Sequence, residues 1–168
     1  MSLREFSFDD AAFVLELLNE PGFLHYIGDK GVRTLEDACN YIEQGPVDSY
    51  RRNGFGLYAA CLRGAAGAAP VGMCGLVKRE GLPDPDVGYA FLERHWGRGY
   101  AVESAAAALE YGTRTLKLPR ILAITSRDNW GSIRVLEKIG MKFDRLLQWT
   151  EGGDEVKLFS MTARGAAL

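Results

Sequence analysis

The sequence is poor in the residues and runs that mark several specialised classes of protein. Its 168 residues include only three cysteines and two histidines. The cysteines, at 39, 61 and 74, lie in apolar surroundings, which predicts buried reduced side chains rather than a disulfide framework or a metal centre. No run of about 18 apolar residues could span a bilayer, and no basic-then-apolar leader opens the chain. We therefore expect a cytoplasmic protein with no metal and no membrane partner.

An excess of charge of one sign is also lacking. Twenty Lys and Arg face 22 Asp and Glu, a formal net charge of −2, so bulk charge gives no reason to expect a nucleic-acid partner. Apolar residues are plentiful at 47% and can supply a substantial core. The length predicts one domain spanning 1–168. The low-complexity stretch at 64–69 is too short for a domain linker and predicts a hairpin loop.

Two amphipathic helices are predicted in the first third of the chain. Ser7 and Asp10 have the spacing of a helix-capping pair, and the helix that follows is predicted to end at Pro21-Gly22. Thr34 and Asp37 repeat the pattern at the start of a second helix over 34–46. The segment between the two helices is predicted to be a loop.

Strand and helix patterns alternate through the rest of the chain. Strands are predicted at 54–63, 70–79, 86–92, 120–125, 141–150 and 154–163, the last two joined by a turn at 151–154, with helices at 98–117 and 128–140. A strand, a helix and a buried strand in succession predict a parallel, right-handed crossover, whereas the flanking hairpins predict antiparallel neighbours. The fold class is therefore α/β (α+β), with one mixed sheet and helices on its faces.

The junction at 94–101, RHWGRGYA, joins a predicted strand to a predicted helix. The first turn of a helix has unpaired backbone N–H groups that bind anions, and glycine lets a phosphate approach the backbone closely. Two arginines add positive charge. The dinucleotide fingerprint fails because its third glycine is replaced by Val102, and no P-loop Gly-Lys-Ser/Thr is present. On these residues alone, a phosphate cradle and a plain tight turn remain open.

Two longer segments resemble one family. The run from Arg94 to Gly99 is similar to the acyl-CoA-binding signature Arg/Gln-x-x-Gly-x-Gly/Ala of the GNAT superfamily of N-acyltransferases. The segment 129–143 resembles that family's Asn-x-x-Ser/Ala…Glu-Lys-x-Gly-Phe motif. The resemblance covers about 4–163 and is greatest to the RimJ/RimL-type branch. It implies a GNAT-like mixed, mostly antiparallel sheet with a central splayed parallel strand pair and flanking helices.

The resemblance also implies how acetyl-CoA binds. Backbone N–H groups from Arg94 through Tyr100 would bind the pyrophosphate, a stretch that includes His95, Trp96, Gly97, Arg98 and Gly99. The backbone of Phe91 and Leu92 would pair with the pantetheine arm. Asn129 and Ser132 would contact the pantetheine or the sulfur, although Asn129 also suits a helix N-cap and Ser132 an ordinary first-turn residue.

Groups that would move protons are harder to assign. The family's usual acid, a tyrosine seven residues after the asparagine, is replaced here by Leu136, so Ser132 or a water would have to substitute. Candidate bases are Asp86 and Glu103, with an exposed turn residue and a helix-dipole or salt-bridge residue as the respective alternatives. An α-amine, with a pKa of about 7.7–8.0, needs little help from a base.

The resemblance implies that the loop at 21–33 lines the acceptor site. His25 and Tyr26 are therefore candidate substrate contacts, with packing as the alternative. The expected function is acetyl-CoA-dependent N-acetylation of a primary amine, either a protein N-terminal α-amine or a small molecule, by direct attack in a ternary complex. A CoA-binding module without transferase activity is the alternative. The oligomeric state, monomer or homodimer, stays open.

Overall fold

A computed structural model of the chain describes residues 1–63, 70–149 and 155–163. Its strands form one seven-stranded sheet in the order β1-β2-β3-β4-β5-β7-β6. The strands are β1 Ser2–Arg4, β2 Leu57–Cys61, β3 Pro70–Val77, β4 Asp86–Phe91, β5 Arg120–Ser126, β6 Lys142–Gln148 and β7 Glu155–Thr162. The helices are α1 Ala11–Leu18, α2 Pro21–Tyr26, α3 Leu35–Ile42, α4 Asp48–Asn53, α5 Tyr100–Glu110 and α6 Trp130–Lys138.

The centre of the sheet contains its one parallel pair, β4 and β5. These strands share a single register pair, Asp86 with Leu122, and the Leu122 N–H donates to the Pro85 carbonyl at 2.9 Å. The other neighbouring strands pair antiparallel, several of them along most of their length. The mixed, mostly antiparallel sheet with a splayed parallel pair and flanking helices is therefore confirmed.

Helices cover both faces of the sheet, and two apolar clusters hold them there. One cluster joins α1, α2 and α3 to β2 and β3, through residues such as Leu17, Phe23, Ile42, Ala59 and Met73. The other joins α5 and α6 to the central strands, through residues such as Leu76, Val87, Ala108, Ile121 and Leu136. Side chains of successive strand residues alternate between the two clusters, as expected for a sheet buried on both faces.

Several helices differ from the predicted pattern. Pro21 begins α2 rather than ending the helix before it, because proline at the first helical position loses no hydrogen bond. The helix predicted over 98–117 begins at Tyr100, and a wider turn at Tyr111–Thr115 follows it. The buried face of α5 includes Ala105, Ala108 and Leu109. Ala106, which lies at helical spacing from Val102 and Leu109, is exposed.

The segment predicted to be a loop after the first helix contains α2, and two further short elements were not predicted either. They are β1, whose three residues are too few to show a period, and α4, which ends at Gly54 in the left-handed conformation. The capping pair of Thr34 and Asp37 is confirmed, since each backbone N–H donates to the other's side chain. The predicted hairpin loop at 64–69 and turn at 151–154 lie outside the described residues. Among the described helices, none is both long and apolar enough to cross a membrane.

Candidate active site

The space between β4 and β5 opens into a cleft of about 770 Å³ that passes through the sheet. At one end its wall includes Ser132 and Leu136 of α6, and at the other it includes Tyr41 of α3 and residues of α4. The cleft exists because the two parallel strands separate directly after their single register pair. A long ligand can therefore enter from the α6 face and meet a second ligand from the face of α1–α4.

Backbone groups of both strands face this gap. The Pro85 carbonyl and the Leu122 N–H bond to each other across it. Because alternate residues of a strand direct their N–H and C=O groups to the same side, Tyr89 of β4 and Ile124 of β5 direct theirs into the gap. With the ladder interrupted, these peptide groups can bind an extended ligand that carries amides of its own.

At the mouth of the gap, the turn between β4 and α5 forms an anion site. Gly97 and Gly99 have φ values of +74° and +83°, and Gly99 is the N-cap of α5. A Cβ added at either glycine would meet no atom within 4 Å, so glycine is required by conformation rather than by space. Within the described ranges, the N–H groups of Gly97, Arg98 and Gly99 have no acceptor. Together with the dipole of α5, they can bind a phosphate.

Fewer backbone N–H groups are available to an anion at this site than the sequence predicted. The His95 N–H donates to the Leu92 carbonyl at 2.8 Å, and the Trp96 N–H donates to the Glu93 carbonyl at 3.0 Å. Both donors close a 3-10 turn at Glu93–His95 and are unavailable to a ligand. The backbone donors for an anion therefore begin at Gly97 and continue into the first turn of α5, which starts at Tyr100.

The arginines of the turn have different partners. Arg94 forms an ion pair with Glu16 of α1, and its Nη2 lies 3.3 Å from Glu16 Oε2. The Arg98 side chain is exposed and has no ion-pair partner in the described part of the chain. Burial and the charges of Arg94 and Arg98 lower the pKa of His95, whose Nδ1 is buried without a hydrogen bond. Arg98, rather than Arg94, is free to contact a phosphate.

Two of the peptide groups that were expected to pair with a ligand, the Phe91 carbonyl and the Leu92 N–H, already have partners in the protein. The Phe91 carbonyl accepts a hydrogen bond from Trp96 Nε1 at 2.7 Å, and the Leu92 N–H donates to the Val71 carbonyl at 3.1 Å. Because the gap opens directly after Asp86, the cleft wall is formed by the earlier residues 87–90. The Tyr89 peptide groups and the Phe91 N–H face the gap and are available to a ligand.

Trp96 and Glu93 hold the turn against the start of α2. The Gly22 N–H donates to Glu93 Oε1 at 2.6 Å, and the Glu93 N–H donates to Glu20 Oε2 at 2.7 Å. The Trp96 ring covers Gly22, where any Cβ would clash with it. The anion site is thereby fixed to the start of α2.

The first turn of α6 brings a serine and a tyrosine together. Asn129 caps the helix, since its Oδ1 accepts from the Ser132 N–H at 3.0 Å. The Tyr89 hydroxyl donates to the Ser132 carbonyl at 3.1 Å, and its oxygen lies 2.9 Å from Ser132 Oγ. Burial raises the pKa of Tyr89, so its hydroxyl stays protonated. Leu136 lines the same wall of the cleft. Sequence reasoning missed that Tyr89 of β4 places a phenol hydroxyl at this wall.

The two candidate bases lie in different places. Asp86 is 1% exposed in the cleft wall, with Arg79 Nε at 2.9 and 3.0 Å from its two oxygens. Burial raises the pKa of Asp86, while the charge of Arg79 opposes the rise. Glu103 is exposed on α5, does not line the cleft and pairs with the terminal ammonium of Met1. Only Asp86 lies with the other candidate residues.

The two candidate acceptor contacts are also separated. Tyr26 lines the cleft. His25 is exposed outside it, with Nε2 3.5 Å from Asp128 Oδ2 and its ring edge-on to Tyr26. Sequence reasoning missed several further polar residues of the cleft wall, among them Lys30, Tyr41 and Arg79. Arg79 follows Val77 at the two-residue period of β3, a signal that could have placed it on this face.

A split parallel pair with a glycine turn at its mouth has the geometry to hold an extended anionic ligand inside the sheet. Residues 1–142 match the family model described as an acetyltransferase (GNAT) domain. The chain therefore belongs to the GNAT family, and the protein is an acetyltransferase.

Similar proteins agree with this assignment. The uncharacterized N-acetyltransferase YnaD of Bacillus subtilis (strain 168) is 32% identical over 140 residues, which cover 83% of this chain and 78% of that protein. The uncharacterized protein YkkB of the same organism is 31% identical over 143 residues, covering 83% and 80%. The crystal structure of a GNAT-family acetyltransferase from Bacillus anthracis superposes with a TM-score of 0.78 at 27% identity, covering 95% of this chain and 93% of that one.

Proposed function

We propose that the protein transfers an acetyl group from acetyl-CoA to a primary amine, with both substrates bound in the cleft. The observation that carries this proposal is the split between β4 and β5, which has a glycine anion site at its mouth. The pyrophosphate would bind the N–H groups of Gly97, Arg98, Gly99 and Tyr100, with the Arg98 side chain adding charge. The pantetheine amides would pair with the peptide groups of Tyr89 and Ile124.

Acetyl-CoA supplies a thioester carbonyl at the middle of the cleft. The amine nitrogen would form a bond to that carbonyl carbon while the carbon–sulfur bond breaks, and the amine would lose a proton. Much of the rate would come from holding the two substrates together in the cleft. Asp86 is the candidate proton acceptor, since burial raises its pKa toward neutrality. An acceptor with an α-amine would depend on it less.

The departing thiolate would be stabilised by a hydrogen bond from the start of α6. The Tyr89 hydroxyl donates to the Ser132 carbonyl, which leaves the Ser132 hydroxyl proton free to turn from Tyr89 toward the sulfur. A thiol with a pKa of about 8.5 leaves readily as a thiolate, so donating a hydrogen bond is sufficient. Asn129 would contribute its Nδ2, because only its Oδ1 is used to cap α6.

We further propose that residues 1–168 form one transferase domain of the RimJ/RimL type. The acceptor would be a protein N-terminal α-amine or a small-molecule amine, bound from the face of α1–α4, where Tyr26 lines the cleft. Glu103 is left out of the mechanism because its carboxylate is paired outside the cleft. His25 is left out because it does not line the cleft.

Calorimetric titration of acetyl-CoA into the protein, with NAD and ATP as controls, tests the binding site. We expect saturable binding of acetyl-CoA alone. Consumption of the thioester is then followed over a panel of amines, and at least one amine should accelerate it. Tight binding with no turnover on any amine would instead support a CoA-binding module without transferase activity, and absence of binding would reject the site itself.

A further inference from the structure

The end of the cleft that faces α1–α4 contains three hydrogen-bond donors that are not fully used within the protein. Lys30, Tyr41 and Arg79 all line it. In the part of the chain that the structure describes, neither the Lys30 ammonium nor the Tyr41 hydroxyl has a hydrogen-bond or ion-pair partner. Donors that converge on a cavity without an acceptor suggest that a ligand supplies one.

The Arg79 side chain directs its free end across β4. Its Nε bonds to both oxygens of Asp86, and its two terminal nitrogens have no acceptor among the described residues. The side chain extends over Gly88, because a Cβ built on that glycine would lie 3.6 Å from Arg79 Nη2. The guanidinium can therefore present a planar edge with two donors to a ligand.

Lys30 and Arg79 act on each other as like charges. Lys30 lies at the rim of the cleft, where partial burial lowers the pKa of its ammonium and the charge of Arg79 lowers it further. Tyr41 lies close enough for the charge of Arg79 to act on its phenol as well, while burial raises the pKa of Tyr41 and keeps the hydroxyl a donor. An anion among these three groups would relieve the repulsion and accept all three hydrogen bonds.

Among the described residues, the acidic side chains of this region do not neutralise it. Asp48 pairs with Arg52 at 2.9 Å, and Asp86 pairs with Arg79. On this face the two carboxylates are opposed by three cationic side chains of the cleft wall, namely Lys30, Arg52 and Arg79. Lys78 follows Leu76 on the opposite face, where its ammonium donates to the Pro83 carbonyl. A polycationic acceptor such as a polyamine or an aminoglycoside would meet net positive charge here.

We propose that the acceptor is an amine that also carries a carboxylate, such as a free amino acid, and that its carboxylate binds between Lys30, Tyr41 and Arg79. The proposal rests on the acetyl-transfer function and names its substrate class. With the carboxylate held on the α1–α4 face, the amine end of the acceptor extends into the gap, toward the thioester. The same chemistry is present on a peptide whose first residue is Asp or Glu, and the test separates the two sources.

The experiment compares matched acceptors at a fixed concentration of acetyl-CoA. Free amino acids, their carboxamides, spermidine and short peptides with or without an acidic first residue are assayed by release of free thiol. We expect kcat/KM to be at least about 10-fold higher for a carboxylate than for its carboxamide. Lys30→Met should lower kcat/KM about 10- to 100-fold for carboxylate acceptors, mainly through KM, and leave carboxamides unchanged.

Lys142→Met is the matched control, since Lys142 is exposed on β6 outside the cleft wall, and it should leave all acceptors unchanged. Calorimetry with N-acetylated amino acids and their carboxamides separates binding from turnover. Binding of the carboxylates that depends on Lys30 but leads to no turnover would support the carboxylate site at Lys30, Tyr41 and Arg79 and reject acetyl transfer. Turnover of amines with no preference for carboxylates, or binding that Lys30→Met does not change, would overturn the proposal. A preference for acidic peptides over free amino acids would assign the carboxylate to a protein N-terminus.

Discussion

Substitution of Gly99 by valine tests the anion site, and the structure separates its effect on binding from its effect on stability. Gly99 has φ +83°, which costs a side-chain-bearing residue about 1–2 kcal/mol. A Cβ there meets nothing within 4 Å, so no steric clash adds to that cost. The chain can relieve the strain by turning the peptide, which moves the N–H groups away from the pyrophosphate. Loss of one hydrogen bond to a charged group, about 1.5–3 kcal/mol, weakens binding about 10- to 100-fold.

Gly54→Val provides the matched control. Gly54 has φ +72°, also faces open space, and ends α4 away from the anion site. Both variants should lose about 1–2 kcal/mol of unfolding free energy in urea titrations, which corresponds to about 2–8 °C in Tm. Calorimetry should show weaker acetyl-CoA binding for Gly99→Val alone. Wild-type affinity in that variant, or an equal loss in Gly54→Val, would refute the assignment of residues 97–100.

The remaining predictions concern the two sides of β4. Ser132→Ala should lower kcat about 10- to 100-fold with little change in acetyl-CoA affinity. Tyr89→Phe should lower kcat less, because Tyr89 only positions Ser132. Equal kcat values for the wild type and both variants in steady-state assays would contradict these roles. Arg79→Met should cost about 3 kcal/mol of unfolding free energy at pH 8, because it leaves the Asp86 carboxylate unpaired. Since the folded-state pKa of Asp86 is raised, protonation stabilises the folded state, and the cost should shrink as pH falls toward the unfolded pKa of about 3.9. A cost that is constant between pH 5 and pH 8 in urea titrations would show that Asp86 remains charged.

The sequence predicts those parts of the site that depend on local conformation. Two glycines before a helix imply left-handed residues and a free helix end, and Gly97 and Gly99 have that geometry. The order of strands and helices implies one parallel crossover, which is the β4–α5–β5 unit. Both inferences involve neighbours in the chain, so the period and the turn residues carry enough information.

Contacts between distant residues could not be predicted in this way. Arg94 was expected to contact phosphate, yet it pairs with Glu16, 78 positions away. The bond between Tyr89 and Ser132 spans 43 positions and depends on how far β4 and β5 separate. Each side chain had several possible partners of suitable charge or polarity, and only the packing of the helices on the sheet selects among them.

Side chains of β4 alternate between the two faces of the sheet, which would allow this one strand to contact both substrates of the proposed reaction. Asp86 and Ala90 face α1–α4, where Asp86 holds Arg79 and Ala90 packs against the first apolar cluster. Tyr89 faces the opposite side, where it reaches Ser132. Gly88 lies between Asp86 and Ala90 on the same face, and the Arg79 guanidinium extends over it. In the proposed reaction, acceptor binding and departure of the thiolate therefore occur on opposite faces of the sheet, and the gap between β4 and β5 is where the amine reaches the thioester.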